Sequence, residues 1–351
     1  MAFDIKKLLQ SVVTHGASDL HLVSRTEPQI RLSGKLKPIN LPVLIGEDIE
    51  EMCYSLITEK QKQDFEENNE LDFALLLPGI GRFRANYYKT LGDTAAAFRI
   101  IPIDIPSLDD LGAPEVYKKL IQREKGLILV TGPTGSGKST TLAAMINQIN
   151  ITAHKHILTV EDPVEFIHLN KKCVFSHRGV GEDTKSFSAA LKFAMRQDPD
   201  IILIGEMRDR ETIEAGLTAA ETGHLVFGTL HTSSAPGTIN RIIDVFSGDE
   251  QPQIRAMIAS SLVAVIAQAL LPKLGGGRVA ASEILVTNHA ISNLIREDKV
   301  HQIYSQMQLG QGNSGMQTQT QSLIKFYKDG KISREAALQY ANKKDEVEKL
   351  L

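Results

Sequence analysis

The chain has 351 residues, enough for about two domains of ordinary size. Its 39 Lys and Arg residues and 42 Asp and Glu residues leave a net charge of -3, without the basic excess that is typical of a protein whose main task is to bind nucleic acid. Hydrophobic residues make up 42% and charged residues 23% of the chain, a balance that excludes a wholly disordered protein.

The first hundred residues predict a small α/β domain over residues 1–101. An amphipathic helix over 3–13 comes first, and Ser33 and Gly34 predict a tight turn between the second and third strands. A charged helical segment over 47–67 separates two groups of three strands. The predicted strands are 19–23, 28–32 and 35–39, followed by 70–77, 81–89 and 94–101.

A linker is predicted to follow this domain. Pro102 and Pro106 stiffen the segment between them, which cannot continue a helix. We therefore expect a linker over 102–113 and a second domain over 114–351.

The second domain alternates strands with helices, which is typical of an α/β fold with a mostly parallel sheet covered on both faces. A helix is predicted over 186–196. The apolar run 262–271 is half as long as a membrane span, and we expect a buried core helix there. From about residue 253 onward we expect mostly helix, broken by glycine-rich loops at 275–277 and 310–315. Four short apolar runs predict buried parallel strands, at 127–130, 156–160, 201–204 and 225–230.

A glycine-rich loop follows the first of these strands. Residues 132–139 read GPTGSGKS and match the phosphate-loop pattern G-x-x-x-x-G-K-[ST], with a strand before them and helix formers after them. In this pattern backbone N–H groups and a helix N-terminus face the phosphates, Lys138 reaches the β- and γ-phosphates, and the Ser139 hydroxyl binds Mg²⁺. A glycine-rich turn without a ligand is the alternative. The predicted ATP-binding residues are Gly132, Pro133, Thr134, Gly135, Ser136, Gly137, Lys138, Ser139 and Thr140.

Two acidic residues follow other parallel strands. Glu161 closes the strand 156–160 and Glu206 follows the strand 201–204, and the carboxyl ends of parallel strands meet beside a phosphate loop. A carboxylate there can orient Mg²⁺ or accept a proton from the attacking water. Asp200 precedes its strand and lies at the wrong end, so Glu206 is the better candidate base. A helix N-cap or a solvated surface is the alternative for either glutamate.

Histidines flank the strand 225–230. His231 lies at its carboxyl end, where an imidazole can face the γ-phosphate, whereas His224 precedes the strand and is expected to be structural or interfacial. The close pair His154 and His156 has no Cys or carboxylate at ligand spacing, so that no metal other than Mg²⁺ is expected.

The expected compartment is the cytoplasm. Cys53 and Cys173 are too few for a disulfide framework or a four-cysteine zinc site, and two such cysteines are typical of a reducing compartment. No segment is long and apolar enough to span a membrane, and the first residues lack the apolar core of a signal peptide.

Several segments together resemble a known family. Residues 195–209, MRQDPDIILIGEMRD, resemble the signature of the secretion-type ATPases that power type II secretion and type IV pili. The acidic segment 161–163 and the segment from Gly223 to Thr232 resemble the family's acidic and histidine boxes. Residues 18–22, 82–84 and 290–297 extend the likeness over nearly the whole chain, and it is strongest to the motors that retract type IV pili.

This resemblance implies a PAS-like N-terminal domain and a RecA-like ATPase domain that form a homohexameric ring with ATP at the subunit interfaces. It also implies a motor that retracts pili by driving pilin disassembly at an inner-membrane platform protein, to which the cytoplasmic ring binds peripherally. Glu206 would be the general base, Glu161 would help to hold Mg²⁺ or the water, and His231 would contact the γ-phosphate. Neither zinc nor nucleic acid is implied.

Arginines of the N-terminal domain are candidates to complete the site. Strand alternation places Arg82, Arg84 and Asn86 on one face, opposite Phe83, and Arg99 follows on the next strand of the hairpin. The guanidinium groups would meet the triphosphate of their own or a neighbouring subunit. A solvated charged sheet face is the alternative.

Two features bear on the branch of the family. The short N-terminal region and the absence of a four-cysteine element favour the retraction motors, whereas Ser292 stands where the retraction motif in 290–297 carries Arg. A paralogue that assists retraction is therefore an alternative within the same family. A RecA-like nucleic-acid translocase, a P-loop kinase and a nucleotide-gated binding module are the alternatives from other classes.

Overall fold

The structure is a computed structural model that describes residues 4–32, 34–101, 104–309 and 314–351. The chain folds as two compact units, Met1–Asp104 and Ile105–Leu351. Within the described ranges, no helix is both long and apolar enough to cross a bilayer. Four sequence predictions lie partly outside the described residues: residue 3 of the first helix, Ser33 of the turn, residues 102 and 103 of the linker, and residues 310–313 of the second glycine-rich loop.

The first unit is built on a six-stranded antiparallel sheet in the order β3-β2-β1-β6-β5-β4. All six predicted strands are confirmed to within one residue at either end. The elements of the first unit are α1 (Ile5–Thr14), β1 (Asp19–Leu22), β2 (Gln29–Leu32), β3 (Lys35–Pro38), α2 (Gly46–Tyr54), α3 (Glu59–Asn68), β4 (Glu70–Leu77), β5 (Gly81–Thr90) and β6 (Asp93–Ile101).

The charged segment predicted as helical over 47–67 is two helices. The Thr58 hydroxyl accepts the backbone N–H of Gln61 at 3.3 Å, and the Gln61 side chain accepts the backbone N–H of Thr58 at 3.0 Å. This reciprocal capping box satisfies two N–H groups at the start of α3. A new helix therefore begins there.

The core of the first unit lies on one face of the sheet. Phe83, Ala85 and Tyr87 alternate along β5 and are fully buried, and Tyr87 meets Phe98 edge to face with ring centroids 5.8 Å apart. Because successive side chains of a strand point to opposite faces, the arginines of β5 lie on the other side of the sheet. The predicted alternation is confirmed.

The second unit is built on a seven-stranded sheet in the order β13-β12-β7-β11-β10-β8-β9, in which only the β12-β13 pair is antiparallel. The predicted fold class, an α/β unit with a mostly parallel sheet after a smaller α/β domain, is confirmed. Its elements are α4 (Val116–Leu120), β7 (Gly126–Thr131), α5 (Lys138–Thr152), β8 (His156–Glu161), β9 (Val174–Gly179), α6 (Phe187–Ala194), β10 (Ile201–Ile204), α7 (Arg210–Glu221), β11 (Leu225–Leu230), α8 (Ala235–Ile243), α9 (Gln251–Ser261), β12 (Leu262–Pro272), β13 (Arg278–Val286), α10 (His289–Arg296), a 3₁₀ turn (Val300–Gln302), α11 (Ile303–Leu309), α12 (Gln319–Lys328), α13 (Arg334–Gln339) and α14 (Lys344–Glu348).

The buried core helix predicted over 262–271 is wrong, because this segment is the strand β12. It lies between β7 and β13 and is buried on both faces, so it lacks the alternation that marks a half-exposed strand. A short apolar run of this kind cannot be told from a buried helix by its periodicity. The expectation of mostly helix after residue 253 fails with it, since the glycine-rich residues 275–277 form the turn of a β12-β13 hairpin.

The parallel strands bring four loops to one edge of the sheet. The segments that follow β7, β8, β10 and β11 all leave from the carboxyl ends of adjacent strands. Ligands of open parallel sheets bind at this edge. The candidate residues after each of these strands are therefore neighbours.

Candidate active site

The phosphate loop runs from the end of β7 to the start of α5. Gly132 begins it where β12 passes very close: a Cβ on this residue would lie 2.3 Å from the backbone carbonyl oxygen of Gln268. No larger residue fits there without moving the strand. Lys138 is the first residue of α5, so that the loop leads directly into a helix N-terminus, where backbone N–H groups favour an anion.

Lys138 is folded back onto its own loop. Its Nζ atom donates to the carbonyl oxygens of Gly132, at 2.9 Å, and Pro133, at 3.2 Å. Burial lowers the pKa of Lys138, and the nearby charges of Glu206 and Glu165 oppose this shift. The ammonium group is thus held beside the loop by groups that a phosphate can replace.

The residues present fit a nucleotide with its metal ion. The buried hydroxyl of Ser136 has no hydrogen-bond partner among the residues that the structure describes. Ser139 and Glu161 line one small cavity of about 30 Å³, together with Gly205. A hydroxyl and a carboxylate are the hard oxygen donors that Mg²⁺ prefers, and Glu161 is held in place because its Oε2 accepts the backbone N–H of Glu165 at 3.1 Å.

Glu206 and His231 come together from neighbouring strands. His231 Nε2 lies 2.8 Å from Glu206 Oε1, and Arg208 also donates to that carboxylate. Burial raises the pKa of Glu206, but the Arg208 hydrogen bond and the charge of His231 outweigh it, so the pKa lies below its ordinary value. The carboxylate is therefore ionised at neutral pH and oriented by two partners.

Asp200 and His224 lie away from this edge, as predicted. Asp200 accepts the backbone N–H of His156 at 2.8 Å, at the amino-terminal ends of β8 and β10. The Nδ1 atom of His224 lies 3.0 Å from the carbonyl oxygen of Ala219, close to the end of α7. Both side chains therefore make their hydrogen bonds at the opposite edge of the sheet.

The candidate arginines belong to the first unit, on the face of its sheet away from the core. Arg84 binds Asp72 at 2.5 Å, and Arg99 binds Asp19 at 2.8 Å. Arg82 is buried, with 8% of its surface exposed, whereas the Arg99 side chain is 67% exposed. Two of the three guanidinium groups, those of Arg84 and Arg99, are thus paired with carboxylates on this face.

Three residues of the site were not predicted. Arg208 lies within the segment 195–209 that resembles the family, and Glu165 follows the acidic segment 161–163, but no pattern assigns either of them a role. His168 lines the same cavity as Ser139, and burial, aided by nearby positive charge, lowers its pKa to about 4. It is consequently neutral at physiological pH, and only the tertiary structure brings it to the site.

Comparison with known proteins gives matches over nearly the whole chain. The profile of the family described as type II/IV secretion system protein matches residues 1–276. The type IV pilus retraction ATPase PilT of Pseudomonas aeruginosa is 52% identical over 338 residues, which are 96% of this chain and 98% of that protein. The twitching motility protein of Neisseria gonorrhoeae is 48% identical over 348 residues, 99% of this chain and 93% of that protein. A crystal structure of the pilus retraction motor PilT with bound ADP matches with a TM-score of 0.93 at 48% identity and covers 99% of each chain.

Proposed function

The chain belongs to the type II/IV secretion system protein family, and we propose that it is an ATP-hydrolysing motor that retracts type IV pili. One observation carries the proposal: the PilT of Pseudomonas aeruginosa is similar over almost the full length of both chains. The arrangement of Lys138, Glu206 and His231 at one sheet edge supports the same chemistry, because it supplies a phosphate binder, a carboxylate and an imidazole to one place.

The proposed mechanism assigns each residue a step. Backbone N–H groups of the phosphate loop and Lys138 bind the β- and γ-phosphates. Ser139 and Glu161 would hold Mg²⁺, which neutralises phosphate charge and acts as a Lewis acid when bound. Glu206 orients the attacking water and takes its proton in the transition state, while His231 keeps the carboxylate in position and faces the γ-phosphate.

The N-terminal arginines are proposed to complete the site. Arg82, Arg84 and Arg99 would stabilise the charge that develops on the phosphates, in their own or a neighbouring subunit. An arginine supplied in this way contributes about 10³ to 10⁵ in rate, far more than a surface ion pair contributes to folding.

The proposed assembly is a homohexameric ring on the cytoplasmic side of the inner membrane. Its ATP sites lie at subunit interfaces, and its partner is the platform protein at the pilus base, through which pilin subunits leave the fibre. Hydrolysis would change the angle between the two units through the segment 102–113. The proposed ring predicts that the active site of one subunit is completed by residues of its neighbour.

Two measurements test the function. In a Pseudomonas aeruginosa strain that lacks its own PilT, this chain is expected to restore twitching motility, and Lys138→Ala is expected not to. The MgATPase rate per subunit should rise steeply as protein concentration passes through the micromolar range, because association completes the site. A flat, appreciable rate would indicate that one chain holds the whole site and would overturn the ring motor.

A further inference from the structure

We propose that Gln268 is a positioning residue that keeps the phosphate loop in its phosphate-binding form. The proposal rests on the nucleotide-binding function proposed above and adds a residue from β12 that no sequence motif marks. Gln268 lies outside the loop and outside the helix that follows it. Its action is on the backbone of the loop.

The side chain of Gln268 is buried directly beneath the loop. Only 4% of its surface is exposed, and its Nε2 atom donates to the carbonyl oxygen of Ser136 at 3.1 Å. A Cβ added to Gly137 would lie 3.3 Å from that same Nε2 atom. The amide of Gln268 is therefore packed against the peptide group that joins Ser136 to Gly137.

This hydrogen bond fixes the direction of a phosphate donor. A trans peptide is planar, so the Ser136 carbonyl and the Gly137 N–H point to opposite sides. Because Gln268 holds the carbonyl toward β12, the N–H of Gly137 is turned away from β12, and we infer that it faces the bound phosphate. Backbone N–H groups on that side are what binds phosphate in such a loop.

The peptide needs such a restraint because it ends in glycine. Gly137 has a φ of +88°, and glycine adopts positive and negative φ values about equally well. A rotation of this peptide that exchanges the positions of its carbonyl and N–H would put an oxygen where a phosphate binds. The hydrogen bond from Gln268 opposes that rotation.

The other end of the amide shows that Gln268 does not serve stability alone. Its Oε1 atom is buried and has no hydrogen-bond partner among the residues that the structure describes. A buried polar atom without a partner costs free energy, and an apolar side chain of the same size avoids this cost. Gln268 thus donates a hydrogen bond to the loop through Nε2, while its Oε1 atom is left as an unpaired acceptor in the core.

The test is the isosteric substitution Gln268→Met, which keeps the volume and removes both polar atoms. We expect the melting temperature without nucleotide to stay within a few degrees of wild type, because a hydrogen bond and an unpaired acceptor are lost together. We expect ADP to bind about 10- to 100-fold more weakly, the effect of losing one hydrogen bond to a charged group. The KM for ATP should rise with a smaller change in kcat, since the donor contacts the phosphates before and during the reaction.

The matched control is Gln317→Met, which removes the same kind of hydrogen bond from Ser282, the residue paired with Gln268 on β13, and not from the phosphate loop. Gln317 also donates from Nε2 to a backbone carbonyl, that of Ser282 at 2.9 Å. Its loss is expected to lower the melting temperature and to leave the Kd for ADP unchanged. Should Gln268→Met fail to fold, Gln268→Asn retracts the amide by one methylene and is expected to weaken ADP binding in the same way.

The outcomes separate this inference from the proposed function. If folded Gln268→Met binds ADP as tightly as wild type, Gln268 does not position the loop, although the chain still binds nucleotide. If wild type itself binds no ADP, the proposed function fails first. A folded variant with weak ADP binding, beside an unaffected Gln317→Met, is the result that supports the proposal.

Discussion

Arg84 and Arg99 lie directly opposite each other on the adjacent antiparallel strands β5 and β6. Like charges in directly opposed positions destabilise a strand pair. Here each guanidinium is bound by a carboxylate on its far side, Arg84 by Asp72 from β4 and Arg99 by Asp19 from β1. The pair therefore keeps two cations side by side on one sheet face, each balanced by a carboxylate of the next strand.

The substitution Arg84→Ala is expected to reduce ATP turnover at least tenfold. An arginine that meets the triphosphate acts on the transition state, whereas its half-exposed ion pair with Asp72 contributes at most about 1 kcal/mol to folding. Turnover per folded subunit and the melting temperature measure the two effects separately. Lys35→Ala, which removes an exposed cation from β3 of the same sheet, should change neither. Wild-type turnover in folded Arg84→Ala would remove this arginine from the site.

Asp19 makes the stability of the first unit depend on pH. Burial raises the pKa of Asp19. Hydrogen bonds from Arg99 and Ser18, together with the charge of Arg99, outweigh this effect, so that the pKa lies below its ordinary value of 3.8. A carboxyl group with a lowered folded-state pKa adds stability above its unfolded pKa and loses it as the pH falls through the folded pKa. The contribution is therefore fully present at neutral pH, begins to be lost as the pH falls below about 3.8, and is gone once the pH lies below the lowered folded-state pKa.

The substitution Asp19→Asn should cost about 1 kcal/mol at pH 7, because a hydrogen bond to a charged group becomes a neutral one. Denaturant unfolding at pH 7 and again near pH 3 is the measurement, and the difference from wild type should shrink at the lower pH. Glu67→Gln, at an exposed position of α3, is the control and should show little difference at either pH. A cost that is the same at both pH values would exclude the ionised Asp19 as its source.

The substitution Glu206→Gln is expected to lower kcat about 100-fold or more while ADP still binds. The amide keeps the hydrogen bonding with Arg208 or His231 in part but cannot take a proton from water. Single-turnover hydrolysis and the Kd for ADP are the two measurements. Asp200→Asn is the matched control, since it alters a carboxylate at the opposite edge of the same strand β10. Equal loss in both variants would mean that Glu206 acts through stability and not through chemistry.

The sequence predicted those parts of the site that follow directly from local patterns. The phosphate loop is contiguous in the chain, and Glu206 and His231 each follow a short apolar run that could only be a buried element. The parallel order of the strands then brings them to one edge. The sequence patterns do not identify Gln268, because its apolar segment predicts a helix, and a helix gives no register against β7.

The two edge strands of the mostly parallel sheet are not predicted from the sequence. The strand β9 reads VFSHRG and lies at the edge of the sheet, where most of its side chains are only partly buried, so its sequence shows neither an apolar run nor an alternation. The strand β12 is the neighbouring strand of β13, so a sequence pattern that predicts a helix for β12 leaves β13 without a partner strand. These two strands depend on contacts between distant segments, which single-sequence patterns do not contain.

Ser292 shows how a departure from the family pattern fits the structure. Its hydroxyl donates to the carbonyl oxygen of Ala259 at the end of α9, at 2.8 Å, and it lines a cavity of about 450 Å³. Glu221 lines the same cavity and accepts a hydrogen bond from Ser260 at 2.7 Å. The cavity therefore offers both room and an opposite charge to an arginine at position 292.

The substitution Ser292→Arg is expected to fold with stability within about 0.5 kcal/mol of wild type, because the new side chain enters an existing cavity at the surface. The ATPase rate should stay within twofold, since the position lies within α10, beside the end of α9, and not at the phosphate loop. Twitching should rise in the strain lacking PilT if the arginine of the motif transmits the motion. Ser292→Lys adds a charge without the planar guanidinium and serves as the control. A fall in the ATPase rate would instead show that this cavity is coupled to the nucleotide site.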